Sequence, residues 1–488
     1  MNQLYSKFIE ESEEKAFDKE HRRRLDFNIG RYDQAVSRGK EQYQNLELAK
    51  RRAANIKHKI INNLDKFLVE FENNFEKRGG KVIWALSERE AQREIMHIIK
   101  KAKAHVIVKQ KTMVSEELEL NELFEKNKRE VFETDLGEFI VQIAGEKPYH
   151  IVTPAMHKSK EDVAKLFHEK FNLPENSQPE QITAFVREKL RGEFIRADVG
   201  ITGGNFLLAD VGALVLTENE GNGLLCMAFP KIHIAIVGIE KLIPSIEDLD
   251  LFLPLLAQHG TGQNITVYNN LIFGPRTDSE TDGPDEMYVI LLDNRRTELL
   301  KFREQRRALS CIRCGACLNG CPVYRSVGGY TYKAPYSGPI GSVISPHYLG
   351  LKEYNHLSFA SSLCGKCTEV CPVKIPIHEL LLHNRNEAIS RKYSTFMWRK
   401  IVSAWKMVML HRWMLDKPGP GLKNKVIRRF GKRYWGTRRV LPKIAPKSFK
   451  ELWKERNPDQ GTPGGRFSRE HLCRDHGFRQ FDCPELYG

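Results

Sequence analysis

Apolar residues recur at helical intervals through residues 1–80, set among Arg, Lys, Glu and Gln. Leu46, Ala49, Ala53, Ile56, Ile60, Leu64, Leu68 and Phe71 step by three or four. That spacing predicts one face of a long helix, and Gly79 and Gly80 predict its end. A helical arm packed on a neighbouring sheet is the expected use of such a face, with a partner-binding helix as the alternative. From Lys81 to about Asn294 the pattern changes. Short β-branched runs alternate with amphipathic stretches and predict strands at 82–85, 105–109, 131–133, 150–153, 206–209, 213–216, 232–237 and 288–292. Ser87 with Glu90, and Ser177 with Glu180, have capping-box spacing. Pro179 lies just inside the second helix start and Gly192 is read as following its end. Continuous apolar strands between helices predict an α/β fold whose sheet is covered on both faces.

At 488 residues the chain exceeds one compact core, and the pattern divides it four ways. Residues 1–80 form a helical arm, 81–298 an α/β domain, 299–390 a cysteine-bearing domain and 391–488 a basic C-terminal domain. The charge of +15 is local. Of 77 Lys and Arg residues, 20 lie in 391–456 beside 3 acidic ones, which leaves 57 basic against 59 acidic elsewhere. Trp398, Trp405, Trp413 and Trp435 are interleaved there, and Arg428-Arg429 and Arg438-Arg439 are paired. Such a segment suits an acidic redox partner, an anionic membrane surface or nucleic acid, although no nucleic-acid motif accompanies it. No apolar run spans a bilayer. Acidic residues at Glu11, Glu13, Glu14, Asp18 and Glu20, with no apolar core among them, argue against a signal peptide. The expected location is the cytoplasm, with the basic tail as a means of attachment at the inner membrane surface.

Seven of the ten cysteines fall between 311 and 371, and metal ligation in a reducing compartment explains them better than disulfides do. The first run is Cys311-x2-Cys314-x2-Cys317-x3-Cys321-Pro322, the spacing of two-cluster bacterial ferredoxins. The fourth cysteine of such a run ligates the other cluster. A second run reads Cys364-x2-Cys367-x3-Cys371-Pro372. The crossing rule assigns Cys311, Cys314, Cys317 and Cys371 to cluster 1, and Cys321, Cys364 and Cys367 to cluster 2. Ser361 stands where the fourth ligand of cluster 2 is due. Three cysteines suit either a [3Fe–4S] core or a [4Fe–4S] core with Ser361, another group or solvent on its last iron. Structural zinc, which takes four ligands in paired Cys-x2-Cys units, explains neither the two Cys-Pro endings nor seven cysteines. Cys226 reads as a small buried hydrophobe, while Cys473 and Cys483 lie in the polar tail.

The α/β segment offers candidate site residues at predicted strand ends, where open sheets bind ligands. These are Lys111, Thr112 and Ser115; Glu133, Thr134, Asp135 and Glu138; and Pro154 with His157. A glycine-rich stretch, Gly200-Ile-Thr-Gly203-Gly204-Asn205-Phe206, is followed by Gly212 and by Thr217-Glu-Asn-Glu220-Gly221-Asn-Gly223. It matches neither G-x-G-x-x-G nor a P-loop, and turn chemistry accounts for it as well as ligand binding does.

The chain resembles the lactate utilisation protein B family. The resemblance rests on Lys111-Thr-Met-Val-Ser115-Glu-Glu, Glu133-Thr-Asp-Leu-Gly137-Glu-Phe and Gly200-Ile-Thr-Gly-Gly-Asn-Phe-Leu-Leu-Ala-Asp210. It also rests on the Cys-Ile-Arg-Cys-Gly-Ala-Cys run and on the Leu-Cys-Gly-Lys-Cys-Thr-Glu-Val-Cys-Pro run, and it extends to Ser361. It implies an N-terminal LUD domain with a NagB/RpiA/CoA-transferase-like Rossmannoid sheet, an α-helical ferredoxin domain and the family's own basic C-terminal domain. It further implies two [4Fe–4S] clusters and oxidation of L-lactate to pyruvate together with two partners. One is an A-type protein with cysteine-rich domains, the other a smaller C-type LUD protein. With no flavin or dinucleotide motif of its own, the chain suits an electron relay better than a site of substrate oxidation, and no catalytic residue is singled out. Two other functions are weighed. One is a CoA-transferase-like acyl or sugar-phosphate enzyme with Glu218 or Glu220 as nucleophile; the other is an iron–sulfur regulator that binds nucleic acid through the tail.

Overall fold

A computed structural model describes residues 3–394, 396–411, 413–414, 418–431 and 440–456. The chain divides into two units, Met1–Tyr393 and Ser394–Gly488. The first contains ten strands: β1 Lys81–Ala85, β2 Val106–Lys109, β3 Glu130–Glu133, β4 Val199–Thr202, β5 Phe206–Leu208, β6 Ala213–Glu218, β7 Ile232–Gly238, β8 Leu242–Ile243, β9 Tyr268–Ile272 and β10 Glu286–Leu292. Six form a sheet in the order β1-β10-β7-β4-β2-β3, parallel throughout. A smaller sheet has the order β8-β5-β6-β9.

Alternate residues of the parallel strands feed two cores, as the pleat requires. Ile107, Val199, Ile201, Ile234, Ile236 and Ile290 pack with Ile95 and Ile99 of the helix Glu88–Lys101. Val237, Met287, Val289 and Leu291 face Leu64, Leu68, Phe71 and Phe75 of the helix Leu64–Glu76. Val106 and Val108 meet Phe167, Val186 and Leu190 from two further helices. With helices on both faces, the strands are apolar along their whole length.

Several elements depart from the sequence expectation. The predicted long helix is two, Leu46–Ile61 and Leu64–Glu76, although Ala53, Ile60, Leu64, Leu68 and Phe71 are all buried as the period demands. Asn62 and Asn63 divide it: their side-chain amides donate to the carbonyls of His58 (2.9 Å) and Lys59 (2.8 Å), competing with the helix's own bonding. Ser87 caps its helix by accepting from Glu90 N. Ser177 caps nothing: its hydroxyl donates to the Pro174 carbonyl, and Gln178 with Gln181 forms the capping box instead. That helix continues to Arg196, so Gly192 lies inside it. Residues 150–153 form no strand, because the His150 ring accepts from the backbone of Val152 and Thr153 and folds the segment into a turn. Strands β4, β8 and β9 were not anticipated.

The cysteine-bearing region is helical and shares a core with the smaller sheet, where Phe206, Leu249, Phe252 and Leu255 meet Leu309, Ile312, Leu318 and Tyr324. The second unit contains the helices Phe396–Leu410, Pro420–Val426 and Phe449–Arg456, and the first of these buries none of its residues. Among the described residues, no helix is long and apolar enough to cross a membrane. Trp435, Arg438, Arg439, Cys473 and Cys483 lie outside the described residues.

Candidate functional site

The two cysteine runs are one local structure used twice. Arg313 (φ +62°) and Gly315 (φ +79°) recur as Leu363 (φ +54°) and Gly365 (φ +78°). Each glycine opens a one-turn helix, Ala316–Asn319 with Cys317 or Lys366–Glu369 with Cys367. The positive φ of these glycines turns the chain back so that neighbouring thiols face one side. In this repeat Ser361 takes the place of Cys311. Its hydroxyl accepts from Leu363 N at 3.1 Å.

Electrostatic coupling sorts the thiols into two groups. Cys314 and Cys317 each sense Cys311 and Cys371, and Cys371 senses Cys311. Cys321 senses Cys364, and Cys367 senses both. In the first group Cys314, Cys317 and Cys371 are buried, whereas Cys364 of the second is exposed. Backbone N–H groups aim at sulfur: Arg313 N donates to Cys311 Sγ and Ile375 N to Cys371 Sγ, both at 3.4 Å. Burial pushes the Cys371 thiol up to about 12 and Cys367 to about 11. Thiols so placed ionise when a metal supplies the missing positive charge. Among the described residues, no three His, Cys, Asp or Glu side chains converge tightly enough to hold a single ion. An iron–sulfur core takes its thiolates on different irons, so separated thiols receiving N–H···S bonds fit it.

Buried cations surround the first group. Lys57 donates to the carbonyls of Glu240 (2.7 Å) and Leu242 (3.0 Å). Arg313 reaches Glu240 at 3.3 Å and stacks over Tyr336 at 4.4 Å. Burial lowers Lys57 to about 7 and Lys241 to about 8, while the nearby Cys311 raises both. Behind them Arg296 is held by Glu117 (2.9 Å) and Glu240 (2.7 Å), all three fully buried. Lys57, Lys241, Arg296 and Arg313 thus face only two buried carboxylates, Glu117 and Glu240. This surplus of positive charge suits the net negative charge of an iron–sulfur core with four thiolates. Nothing in the sequence marks these cations, since a Lys on an amphipathic helix or an Arg between two cysteines is ordinary.

A cleft of ≈ 400 Å³ lies beyond the carboxyl ends of β2, β3, β4 and β7, where open parallel sheets bind ligands. Lys111 and Thr112, Asp135, Gly203 to Asn205, Thr217, Glu218 and Glu220 line it, as do Gln110, Lys241, Arg313, Tyr336 and Cys314. The cleft therefore reaches the first thiol group. Lys111 binds Asp135 at 3.3 Å and the Val152 carbonyl at 2.9 Å. The carboxylate of Glu218 is occupied in holding a helix start, accepting from Gly223 N (2.6 Å) and Leu224 N (2.9 Å). Glu220 is exposed and accepts from Leu136 N at 3.3 Å. Other candidates lie elsewhere. Ser115 and Glu133 bind the buried Lys109 at 2.8 and 2.7 Å, and burial together with Glu133 pushes the Glu138 carboxyl upward. Thr134 donates to the Lys109 carbonyl. His157 pairs with Glu146 (2.7 Å) beside Tyr149 and Tyr330. Neither His157 nor Pro154 lines the cleft. Cys226 is buried, and burial raises its thiol to about 12.

The domain assignments agree with this geometry. A LUD domain matches residues 68–292 and a 4Fe-4S dicluster domain matches residues 307–375. Lactate utilization protein B of Oceanobacillus iheyensis is 38% identical over 445 residues, 88% of this chain and 91% of its own. The Bacillus cytotoxicus protein of the same name is 45% identical over 337 residues, 69% of this chain and 71% of its own. The chain belongs to the lactate utilisation protein B family. A solved DUF162 family protein from Deinococcus radiodurans covers 47% of this family member and 98% of its own length at 14% identity, with a TM-score of 0.28, too slight a likeness to build on. The α/β part is a LUD domain on a parallel sheet, followed by a ferredoxin-like iron–sulfur domain and a helical C-terminal region.

Proposed function

We propose that the chain is the iron–sulfur electron-transfer component of a system that oxidises L-lactate to pyruvate. The observation that carries this reading is the placement of the two thiol groups. One is buried against the LUD cleft through Cys314; the other reaches the surface through Cys364. An interior end and an exterior end are what a relay requires. Cys311, Cys314, Cys317 and Cys371 hold cluster 1. Cys321, Cys364 and Cys367 hold cluster 2, a [4Fe–4S] core whose last iron takes a ligand other than cysteine.

Bound clusters of this kind supply one-electron transfer. The chain's own groups position and tune it: N–H donors from Arg313 and Ile375 stabilise thiolate charge, and Lys57, Lys241 and Arg313 balance it. Lactate utilisation is carried over from the relatives' name, and the A-type and C-type proteins are the proposed partners. The engagement of Glu218 with Gly223 and Leu224 occupies one of the two carboxylates, Glu218 and Glu220, that the acyl-transfer alternative offers as nucleophile.

Iron and acid-labile sulfide, measured with EPR on anaerobically purified protein, test the reading. About eight irons per chain and interacting signals after dithionite are expected for two [4Fe–4S] centres. About seven irons, with an oxidised-state [3Fe–4S] signal, would place the incomplete core at the three-cysteine site. Zinc without labile sulfide would end the iron–sulfur reading. Growth on L-lactate after deletion of this chain, in a strain with no other lactate oxidase, would end the lactate reading.

A further inference from the structure

A second concavity, ≈ 960 Å³, lies outside the LUD cleft. Its walls carry Arg51, His58, Arg303, Arg306, Arg307 and Lys374, with Glu304 as the one acidic side chain lining it among the described residues. Its floor contains Ser310, Val373 and Ile375. Ser310 immediately precedes Cys311, and Val373 and Ile375 follow Cys371; Ile375 N donates to Cys371 Sγ at 3.4 Å. The groove thus borders the backbone that carries two thiols of the first group.

Part of the charge on its walls is paired and part is open to a partner. Arg303 is 94% exposed and approaches Glu304 at 3.9 Å. Arg306 is held by Asn62 at 3.2 Å, and Lys374 by Glu47 at 2.6 Å, so these two are fixed in place as walls. Surplus charge on an exposed rim governs encounter rate and partner choice more than it governs fold stability.

We infer that this groove is the docking surface for an acidic one-electron carrier protein, seated over Cys311 and Cys371. The inference rests on the relay reading above, with exposed Cys364 at the end that receives the electron and the partly exposed Cys311 at the end that passes it on. Two features single out that partner: the groove is basic, and its lining includes Ser310 next to Cys311 and Val373 shortly after Cys371, where a carrier gains by close approach. One electron passes from the reduced cluster held by Cys311 and Cys371 to the carrier, which is reduced by one electron. No bond is made or broken.

The test uses the full chain with its clusters, and flavodoxin and a plant-type [2Fe–2S] ferredoxin as acidic probes. Binding is measured by surface plasmon resonance across a salt series, for the natural chain and for the Arg303→Glu/Arg307→Glu variant. At least one probe is expected to bind, to weaken steeply with salt and to lose about tenfold or more in affinity on charge reversal. EPR of both clusters is expected to stay unchanged in the variant. Binding of neither probe, or equal binding by both forms, would overturn the inference while intact EPR signals left the relay standing. Charge-dependent binding of duplex DNA or anionic vesicles, with no binding of either carrier, would overturn it too. Absent clusters would sink the relay reading and leave the binding result to judge the groove alone.

Discussion

Residues 311–321 and 361–371 trace the same backbone twice, yet their surroundings are opposed. Around Gly315 stand Val152, His150 and Ile151, so the first copy is packed against the LUD domain. A Cβ added at Gly365 would meet nothing within 4 Å. The first copy faces buried Lys57, Lys241 and Arg313; the second has Lys366 and Arg325, which are half-exposed and paired with Glu369 and Asp33. A local motif fixes where thiols point. The environment decides what potential and what stability the site acquires.

The largest expected effect separates the two copies by stability. Cys317→Ala should abolish the EPR signal of cluster 1, halve the iron and lower the unfolding temperature by roughly 10 °C, because a metal-organised core is lost. Cys364→Ala should remove cluster 2 at a cost of about 3 °C, since that side is already open to water. Equal losses in a calorimetric scan would show that burial of the first copy adds nothing to the fold.

The ion pairs behind each copy should differ next. Arg296→Met leaves Glu117 and Glu240 buried without their main partner and is expected to cost about 3–5 kcal/mol. Arg325→Met removes a pair with Asp33 that solvent screens, and should cost under ~1 kcal/mol. Urea denaturation of the loaded protein measures both, and similar costs would contradict the contrast.

A third comparison concerns potential. Removing a positive charge disfavours the extra electron, so the potential must fall. At an effective dielectric near ~20, a charge about 8 Å away is worth about 2 kcal/mol, or about 90 mV for a one-electron couple. Lys241→Met should lower cluster 1 by that order. Lys366→Met, half-exposed beside Cys367, should lower cluster 2 by about 20 mV, the value for solvent screening. Redox titration followed by EPR reads both shifts, and a larger shift at cluster 2 would reverse the assignment of the tuned site.

Parts of this contrast were legible in the sequence. The grouping of thiols followed from the Cys-x2-Cys-x2-Cys-x3-Cys-Pro spacing, because ligand direction in a short loop is a local property. Lys111, Thr112 and Asp135 were found as cleft candidates from strand ends, and the structure brings them together. Ser115 and Glu133 came from the same rule but bind Lys109, an interaction that spacing does not encode. The cation cage was invisible for a similar reason: Lys57, Lys241, Arg296 and Arg313 come from four distant places and share no period. Strand β9, Tyr-Asn-Asn-Leu-Ile, has too few apolar residues to register, being an edge strand that pairs only with β6. Residues 150–153 had the β-branched run of a strand, but the His150 ring takes the backbone N–H groups a neighbouring strand would need. That segment turns instead toward the ferredoxin part, where Tyr324 donates to the Tyr149 carbonyl at 3.1 Å.

The smallest expected effect isolates packing from strain. Gly315 and Gly365 have φ of +79° and +78°, so an alanine at either pays the same left-handed penalty, about 1–2 kcal/mol. Their surroundings differ: a Cβ on Gly315 meets Val152 Cγ2 at 3.1 Å, while one on Gly365 meets nothing. Gly315→Ala should therefore cost more than Gly365→Ala by a further ~1 kcal/mol of overpacking, measured by urea denaturation of the loaded protein. Identical costs would mean that Val152 yields freely and that the LUD domain does not clamp the first copy. A larger cost at Gly365 would reverse the contrast between the packed and the open copy.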